Sequence, residues 1–400
     1  MKVIPVLYEN KENCCGCSAC CAICPVTAIT MEADEKGFLY PSIDSKLCIE
    51  CGLCIKVCPI RNSDSKENSL EPDVYAAKHK SDEVRMNSSS GGMFTAISDY
   101  VIDSGGVVYG AAFDEDFKVC HICAVTKYER DQFRGSKYVQ SDLDCCFQEI
   151  KEKLENGISV LFSGTPCQVE GLNKYLRGVE ISQLMTVDNV CHGTPSPKIF
   201  TQYLDKIKSQ YNSNIKWINF RYKLLGWRSQ AINISLENGQ EYISTASEDP
   251  FYRLFLPNII LRDSCYQCIF TNVHRPSDIT LGDFWGIEES LPDFEDEKGV
   301  SLVLVNTEKG RKIFNNLTGV LDIRKSDLQS CLQPNLKGPS VASPKMEQFW
   351  IEYQKYGFEY ALSKYGIMSN GKQIIKKILM HLGLFDEFKK IISFGDVYKR

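Results

Sequence analysis

The 400-residue sequence contains no run of about 18 apolar residues, so no segment reads as a membrane-spanning helix. It has no basic excess. A net charge of −5 argues against general nucleic-acid binding. It has no secretory-type opening, because Met1–Tyr8 is short and Glu9–Glu12 is polar; the expected location is cytoplasmic. No G-x-G-x-x-G follows a strand-like run, so a dinucleotide site of the Rossmann kind is excluded. What is present is 43% hydrophobic and 24% charged residues, ordinary for a globular protein, over a length that suits two or three domains. Cysteine stands out, with 19 in the chain. Where thiols are kept reduced, regular spacings point to metal sites or catalysis rather than disulfides.

Ten of the cysteines lie in residues 1–60. The pattern C-x2-C-x2-C-x3-C-P occurs there twice, at Cys14, Cys17, Cys20, Cys24 and Pro25, and at Cys48, Cys51, Cys54, Cys58 and Pro59. A 4Fe-4S cube needs four thiolates converging from different directions. Three closely spaced cysteines wrap one side, and the fourth of each run ligates the other cluster. Cys14, Cys17, Cys20 and Cys58 are therefore assigned to one cluster, and Cys48, Cys51, Cys54 and Cys24 to the other. A pair of zinc sites, built from split C-x2-C pairs, does not account for two runs ending in Cys-Pro. Cys15 and Cys21 fall outside the pattern and read as packing residues. Ala28–Ile43 is expected to form a small sheet over the clusters. Positions 14–59 resemble bacterial-type two-cluster ferredoxins.

Residues 63–73 are polar and read as a linker. Beyond them, helix-like and strand-like segments alternate. Met93–Ile102, Leu143–Leu154 and Pro197–Tyr211 read as helices. Gly106–Phe113, Lys118–Val125, Ile158–Phe162, Ile215–Tyr222, Ala231–Leu236 and Val300–Val305 read as strands. Cys120 and Cys123 sit three apart on a strand, on opposite faces, and do not form a joint ligand set. Cys145 and Cys146 read as helix packing residues. Cys167, Cys191, Cys265 and Cys268 lie in loop-like contexts rich in glycine and proline, the first directly after a buried strand. Strand-end loops are where α/β sheets place ligands. These four could hold a third 4Fe-4S cluster or zinc, or be separate thiols.

Six stretches in order resemble the beta subunit family of coenzyme F-420 hydrogenases and dehydrogenases. They are Ser88–Gly92 (SSSGG), Arg134–Ser141 (RGSKYVQS), Gly164–Gln168 (GTPCQ), Cys191–Ser196 (CHGTPS), Cys265–Cys268 (CYQC) and Asp278–Gly286 (DITLGDFWG). The resemblance spans about residues 74–305. It implies FAD and a 4Fe-4S cluster in this domain, the cluster ligated by Cys167, Cys191, Cys265 and Cys268. A flavin also suits the chemistry, because it takes up a two-electron hydride and releases single electrons to clusters. Candidate FAD residues are Ser90, Gly91 and Gly92, where a helix start could hold a phosphate, with Gly135, Ser136, Lys137, Tyr138 and Gly164. Lys137 would offer a positive charge to the diphosphate or the flavin.

The expected fold class is α+β. A ferredoxin-like domain (1–62) and a linker (63–73) precede a larger mixed α/β flavin-binding domain (74–340). A helical region (341–400) follows, with amphipathic Gln373–His381 and Phe385–Phe394. The expected protein is an iron–sulfur flavoprotein oxidoreductase. It would serve a small-molecule two-electron substrate, such as a deazaflavin coenzyme, and a one-electron redox partner at the ferredoxin module. Nucleic acid is not an expected partner, and any membrane contact would be peripheral. The alternative is a non-catalytic electron carrier docked to a larger redox complex. A third reading puts a structural zinc in the central domain.

Overall fold

Apolar alternation in Ile29–Ala33 (β1) and Leu39–Ile43 (β2) produces an antiparallel hairpin, with Ile29 opposite Ile43 and Ala33 opposite Leu39. The Asp34 carboxylate closes its turn by accepting from the N–H groups of Lys36 and Phe38 at 3.0 and 2.9 Å. A one-turn helix follows each triple-cysteine loop, at Ala19–Ala22 and Leu53–Lys56. The computed structural model describes residues 4–62, 71–223 and 226–367.

The body is mixed α/β. Its strands are β3 (Asp73–His79), β4 (Val107–Phe113), β5 (Val119–Ala124), β6 (Val160–Gly164), β7 (Leu184–Asn189), β8 (Ile215–Tyr222), β9 (Ala231–Leu236), β10 (Glu241–Thr245), β11 (Ile279–Asp283), β12 (Ser301–Val305) and β13 (Leu321–Ser326). Eight of them form one sheet in the order β13-β3-β12-β11-β7-β6-β4-β5. β4, β6, β7 and β11 run parallel in its centre, and the flanking pairs are antiparallel.

β6 is buried across Val160, Leu161 and Phe162, as a strand covered on both faces should be. Val108, Leu161 and Met185 pack with the helix Met93–Asp103. Val107, Val160, Phe162 and Leu184 pack with the helices Cys146–Glu155 and Pro166–Tyr175. β8, β9 and β10 form a separate antiparallel sheet. The helix Pro197–Tyr211 lies on it through an aromatic core of Phe200, Tyr203, Phe220 and Phe251. A helical segment from Met346 to Ala361, broken at Gly357, packs Phe349 and Trp350 into the same core.

β8 and β9 match the expected ranges residue for residue, and the Pro197 helix does too. β3, β7, β10, β11 and β13 were not anticipated. β3 starts at Asp73, the last residue of the expected linker. Cys167 is not in a loop: it lies in the first turn of the helix Pro166–Tyr175, with Thr165 and Gln168 forming a capping box and Pro166 opening the turn. Gln373–His381 and Phe385–Phe394 lie outside the described residues. Among the described residues no helix is long and apolar enough to cross a membrane.

Candidate functional site

The two N-terminal cysteine runs fold around two adjacent pockets. Cys14, Cys17, Cys20 and Cys58 line the first, an empty space of about 390 Å³ floored by Met31 and Pro41 of the hairpin. Cys24, Cys48, Cys51 and Cys54 line the second, about 340 Å³, beside Ala28, Ile29 and Ile43. The last cysteine of each run has crossed to the other run's pocket. The chain does this because each short helix carries its own last cysteine away from the loop that precedes it. Cys54 borders both pockets, so they are neighbours. Each concavity brings together its four assigned cysteines, and that donor set fits an iron–sulfur cube.

The four body cysteines also converge. Cys167 and Cys191 follow the carboxyl ends of the adjacent parallel strands β6 and β7. Cys265 and Cys268 come to them because Pro195 bridges Leu261 and the Arg262 N–H donates to Thr194 O at 3.0 Å. Gly193 makes this contact close: a Cβ there would lie 2.8 Å from Leu261 Cδ1 and 3.3 Å from Cys265 Cβ. Burial raises the Cys191 thiol well above its ordinary value, and Cys265, Cys167 and Cys268 add to the effect. Burial likewise pushes Cys268 up to about 12. Thiols so crowded ionise together only beside a compensating cation, as metal ligation provides. The Thr194 N–H donates to Cys265 Sγ at 3.4 Å, and Thr165 Oγ1 lies 3.2 Å from Cys167 Sγ.

The ferredoxin-like module is docked on the body by its first pocket. Cys17, Ala19 and Val57 belong to the same apolar cluster as Phe162, Val169 and Leu172. Gly171 faces Cys17 so closely that a Cβ would lie 2.9 Å from its Cβ and Sγ. Gly16, at φ +70°, leaves room for Gln140 and Arg262. Lys36 pairs with Asp263 at 2.7 Å, and Ser196 Oγ donates to Lys36 O. Cys15 lines the first pocket and packs against the apolar cluster shared by module and body, in keeping with its reading as a packing residue. The second pocket faces outward: Cys51 is exposed, and Leu47 and Ile49 are 52% and 57% exposed.

The candidate flavin stretches also meet. Ser89 Oγ lies 2.9 Å from Ser136 Oγ and accepts from the Ser136 N–H at 2.8 Å. Gly92 begins the helix Met93–Asp103, and Ser90 Oγ donates to Val300 O at 2.7 Å. The Gly91 N–H donates to Ser301 Oγ at 3.0 Å. Beside Gly135 the space is open. Lys137 is turned back: its ammonium donates to the carbonyls of Gln132 (2.6 Å), Arg134 (3.1 Å) and Gly135 (3.3 Å), and burial pushes it down to about 7. Tyr138 hydroxyl accepts from Arg221 Nη1 at 3.3 Å, and Arg221 pairs with Asp283 at 2.6 Å. Trp285 stacks on Trp227 at 4.9 Å. Gly164 stands apart from this group, at the end of β6 against Phe162 and Gln168. His192 packs edge-on against Phe255, and burial lowers its pKa. Lys223, not anticipated, is buried with its ammonium on the carbonyls of Arg85, Ser90 and Lys298, each at 2.7 Å.

Two family models described as coenzyme F420 hydrogenase/dehydrogenase, beta subunit, match the body: the N-terminal one over residues 74–144 and the C-terminal one over residues 158–328. Residues 13–62 match a 4Fe-4S dicluster domain. No curated protein matches the chain. Among solved structures, a chain of the xenon-derivatized F420-reducing [NiFe] hydrogenase complex from Methanosarcina barkeri is similar at 16% identity and a TM-score of 0.46. The match covers 74% of this chain and 96% of that one.

Proposed function

We propose, for a chain that belongs to the coenzyme F420 hydrogenase/dehydrogenase beta subunit family and carries a 4Fe-4S dicluster domain, that it is an iron–sulfur flavoprotein oxidoreductase. It exchanges electrons between a small-molecule hydride carrier, such as a deazaflavin coenzyme, and a one-electron partner. The observation that carries this reading is the contiguity of three cysteine sets. Cys54 borders both N-terminal pockets, and Cys17 of the first pocket packs against Gly171 in the helix that carries Cys167. When bound, 4Fe-4S clusters supply one-electron chemistry, and FAD supplies the conversion between a hydride and single electrons.

In this reading Cys14, Cys17, Cys20 and Cys58 hold a proximal cluster. Cys24, Cys48, Cys51 and Cys54 hold a distal one, and Cys167, Cys191, Cys265 and Cys268 hold a third. Thr194 and Thr165 orient the sulfurs of Cys265 and Cys167. Ser90, Gly91, Gly92, Gly135, Ser136, Tyr138 and Gly164 are the proposed FAD contacts. Lys137 braces the Arg134–Gly135 turn. The exposed face around Cys51, Leu47 and Ile49 is the port for the one-electron partner, since the proximal face is covered by the body. Division at 62/63, 73/74 and 340/341, and a cytoplasmic location, belong to the same proposal.

Iron, zinc and flavin content of anaerobically purified protein tests it. About twelve irons and one FAD per chain are expected for three clusters and a flavin. About eight irons with zinc and no flavin would overturn the reading in favour of a ferredoxin-type carrier.

A further inference from the structure

Arg262 belongs to the body, three residues before Cys265, yet its side chain is spent on the ferredoxin-like module. Nε donates to Cys14 O at 2.9 Å, and Nη2 lies 3.6 Å from Cys14 Sγ. Nη1 donates to Gln140 Oε1 at 3.0 Å. The guanidinium sits over the Tyr40 ring, 4.0 Å from its centroid, and the residue is 1% exposed. No carboxylate pairs with it among the described residues. A buried guanidinium without a counter-charge is unfavourable unless something anionic stands beside it. The groups it touches are the Cys14 carbonyl and sulfur and the Tyr40 ring, and it stands three residues before Cys265 in the chain. Cys14 belongs to the proximal set and Cys265 to the body set, so the charge stands between the two.

We infer that Arg262 is a positioning residue whose buried charge favours the reduced state of the proximal cluster held by Cys14, Cys17, Cys20 and Cys58. The inference rests on the cluster reading of those cysteines. Reduction adds a negative charge close to the guanidinium, and Coulomb attraction at this range in a protein interior exceeds a tenfold bias. The hydrogen bond toward Cys14 Sγ acts in the same direction. Arg262 thereby orders the flow of single electrons between the body and the module, and ties that order to correct docking.

The test is a mediator-poised redox titration of the full anaerobic chain, read by the EPR signals of the reduced clusters. The equilibrium titrated is the gain of one electron from dithionite through the mediators, with no bond made or broken. Arg262→Gln is expected to make proximal reduction at least tenfold less favourable, a drop of about 59 mV for a one-electron couple. The distal signal should stay in place. Arg262→Lys, which keeps the charge and loses the fork, should remain within a factor of about three of the parent. Gln140→Glu keeps Arg262 and the shape of the dock while partly neutralising the charge, and should shift the midpoint downward as well. A strut that only holds the two parts together would leave Arg262→Gln at the parent midpoint with iron fully loaded, and that result overturns the inference. Where Arg262→Gln fails to load iron, a tenfold loss in Arg262→Lys, which keeps the charge, overturns it as well. A parent chain with fewer than about eight irons would instead refute the cluster reading itself.

Discussion

Gly171 lies inside the helix Pro166–Tyr175, where alanine is intrinsically better than glycine by about 1 kcal/mol. In isolation Gly171→Ala should therefore stabilise. In the whole chain the new methyl would lie 2.9 Å from both Cβ and Sγ of Cys17. Neither atom is the free end of a flexible side chain, because Cys17 is buried and its loop is packed on this helix. Overpacking of that kind costs about 1–3 kcal/mol. The net expectation in the full chain is a loss of up to about 2 kcal/mol, after the helical gain is subtracted. In a chain that starts at residue 71, with the module removed, the same substitution should gain up to about 1 kcal/mol. Urea unfolding of both backgrounds gives the two signs directly, with unchanged slope as the check that only stability moved. The difference between backgrounds isolates the contact, as in a double-mutant cycle. Equal stabilisation in both would refute the reasoning, because it would mean that the Cys17 loop does not rest on this helix.

Crossing of the last cysteines predicts an exchange of phenotypes. Cys58→Ala should remove the proximal EPR signal and about four irons while the distal signal persists, and Cys24→Ala should do the reverse; signals lost from the run that carries the mutation would show that the assignment is uncrossed. The Lys36–Asp263 pair spans the dock at 2.7 Å with side chains only 15% and 14% exposed. Lys36→Met or Asp263→Asn alone should destabilise the full chain by about 1–3 kcal/mol, and the double substitution by less than the sum, because each single change leaves a largely buried partner behind. Additive losses in thermal unfolding would show that the two side chains do not meet.

The two N-terminal cysteine runs were legible because their spacing is local. Three sulfurs at spacings of three wrap one side of a cube, and no distant residue is needed to see it. β8 and β9 were legible for the same reason: in β9, Ile232, Ile234 and Leu236 alternate with Asn233 and Ser235 in the two-residue period of a strand. β11 was not, because Thr280, Gly282 and Asp283 interrupt any apolar period in a strand whose pairing comes from β7 and β12. The helix at Pro166 could have been read from Thr165-Pro166-Cys167-Gln168, since threonine, proline and glutamine stand at the N-cap, first and third positions. Attention to glycine and proline as loop markers hid it.

What no local pattern could yield is the dock, and the dock decides which cluster site faces which. Arg262 reaches Cys14 across 248 positions, and Lys36 reaches Asp263 across 227. In sequence these were an arginine before a C-x2-C pair and a lysine in a hairpin turn. In space they turn the proximal cysteines inward and leave Cys51 outward. The body-facing side of the module is spent on Gly16, Gly171 and the packing of Cys17, Ala19 and Val57, and Cys51 stands exposed on the other side. The order of the three sites is thus a property of a handful of long-range polar contacts. A homologous module with the same eight cysteines but without an arginine at the position of Arg262 should dock less tightly, even though its cysteine pattern reads the same.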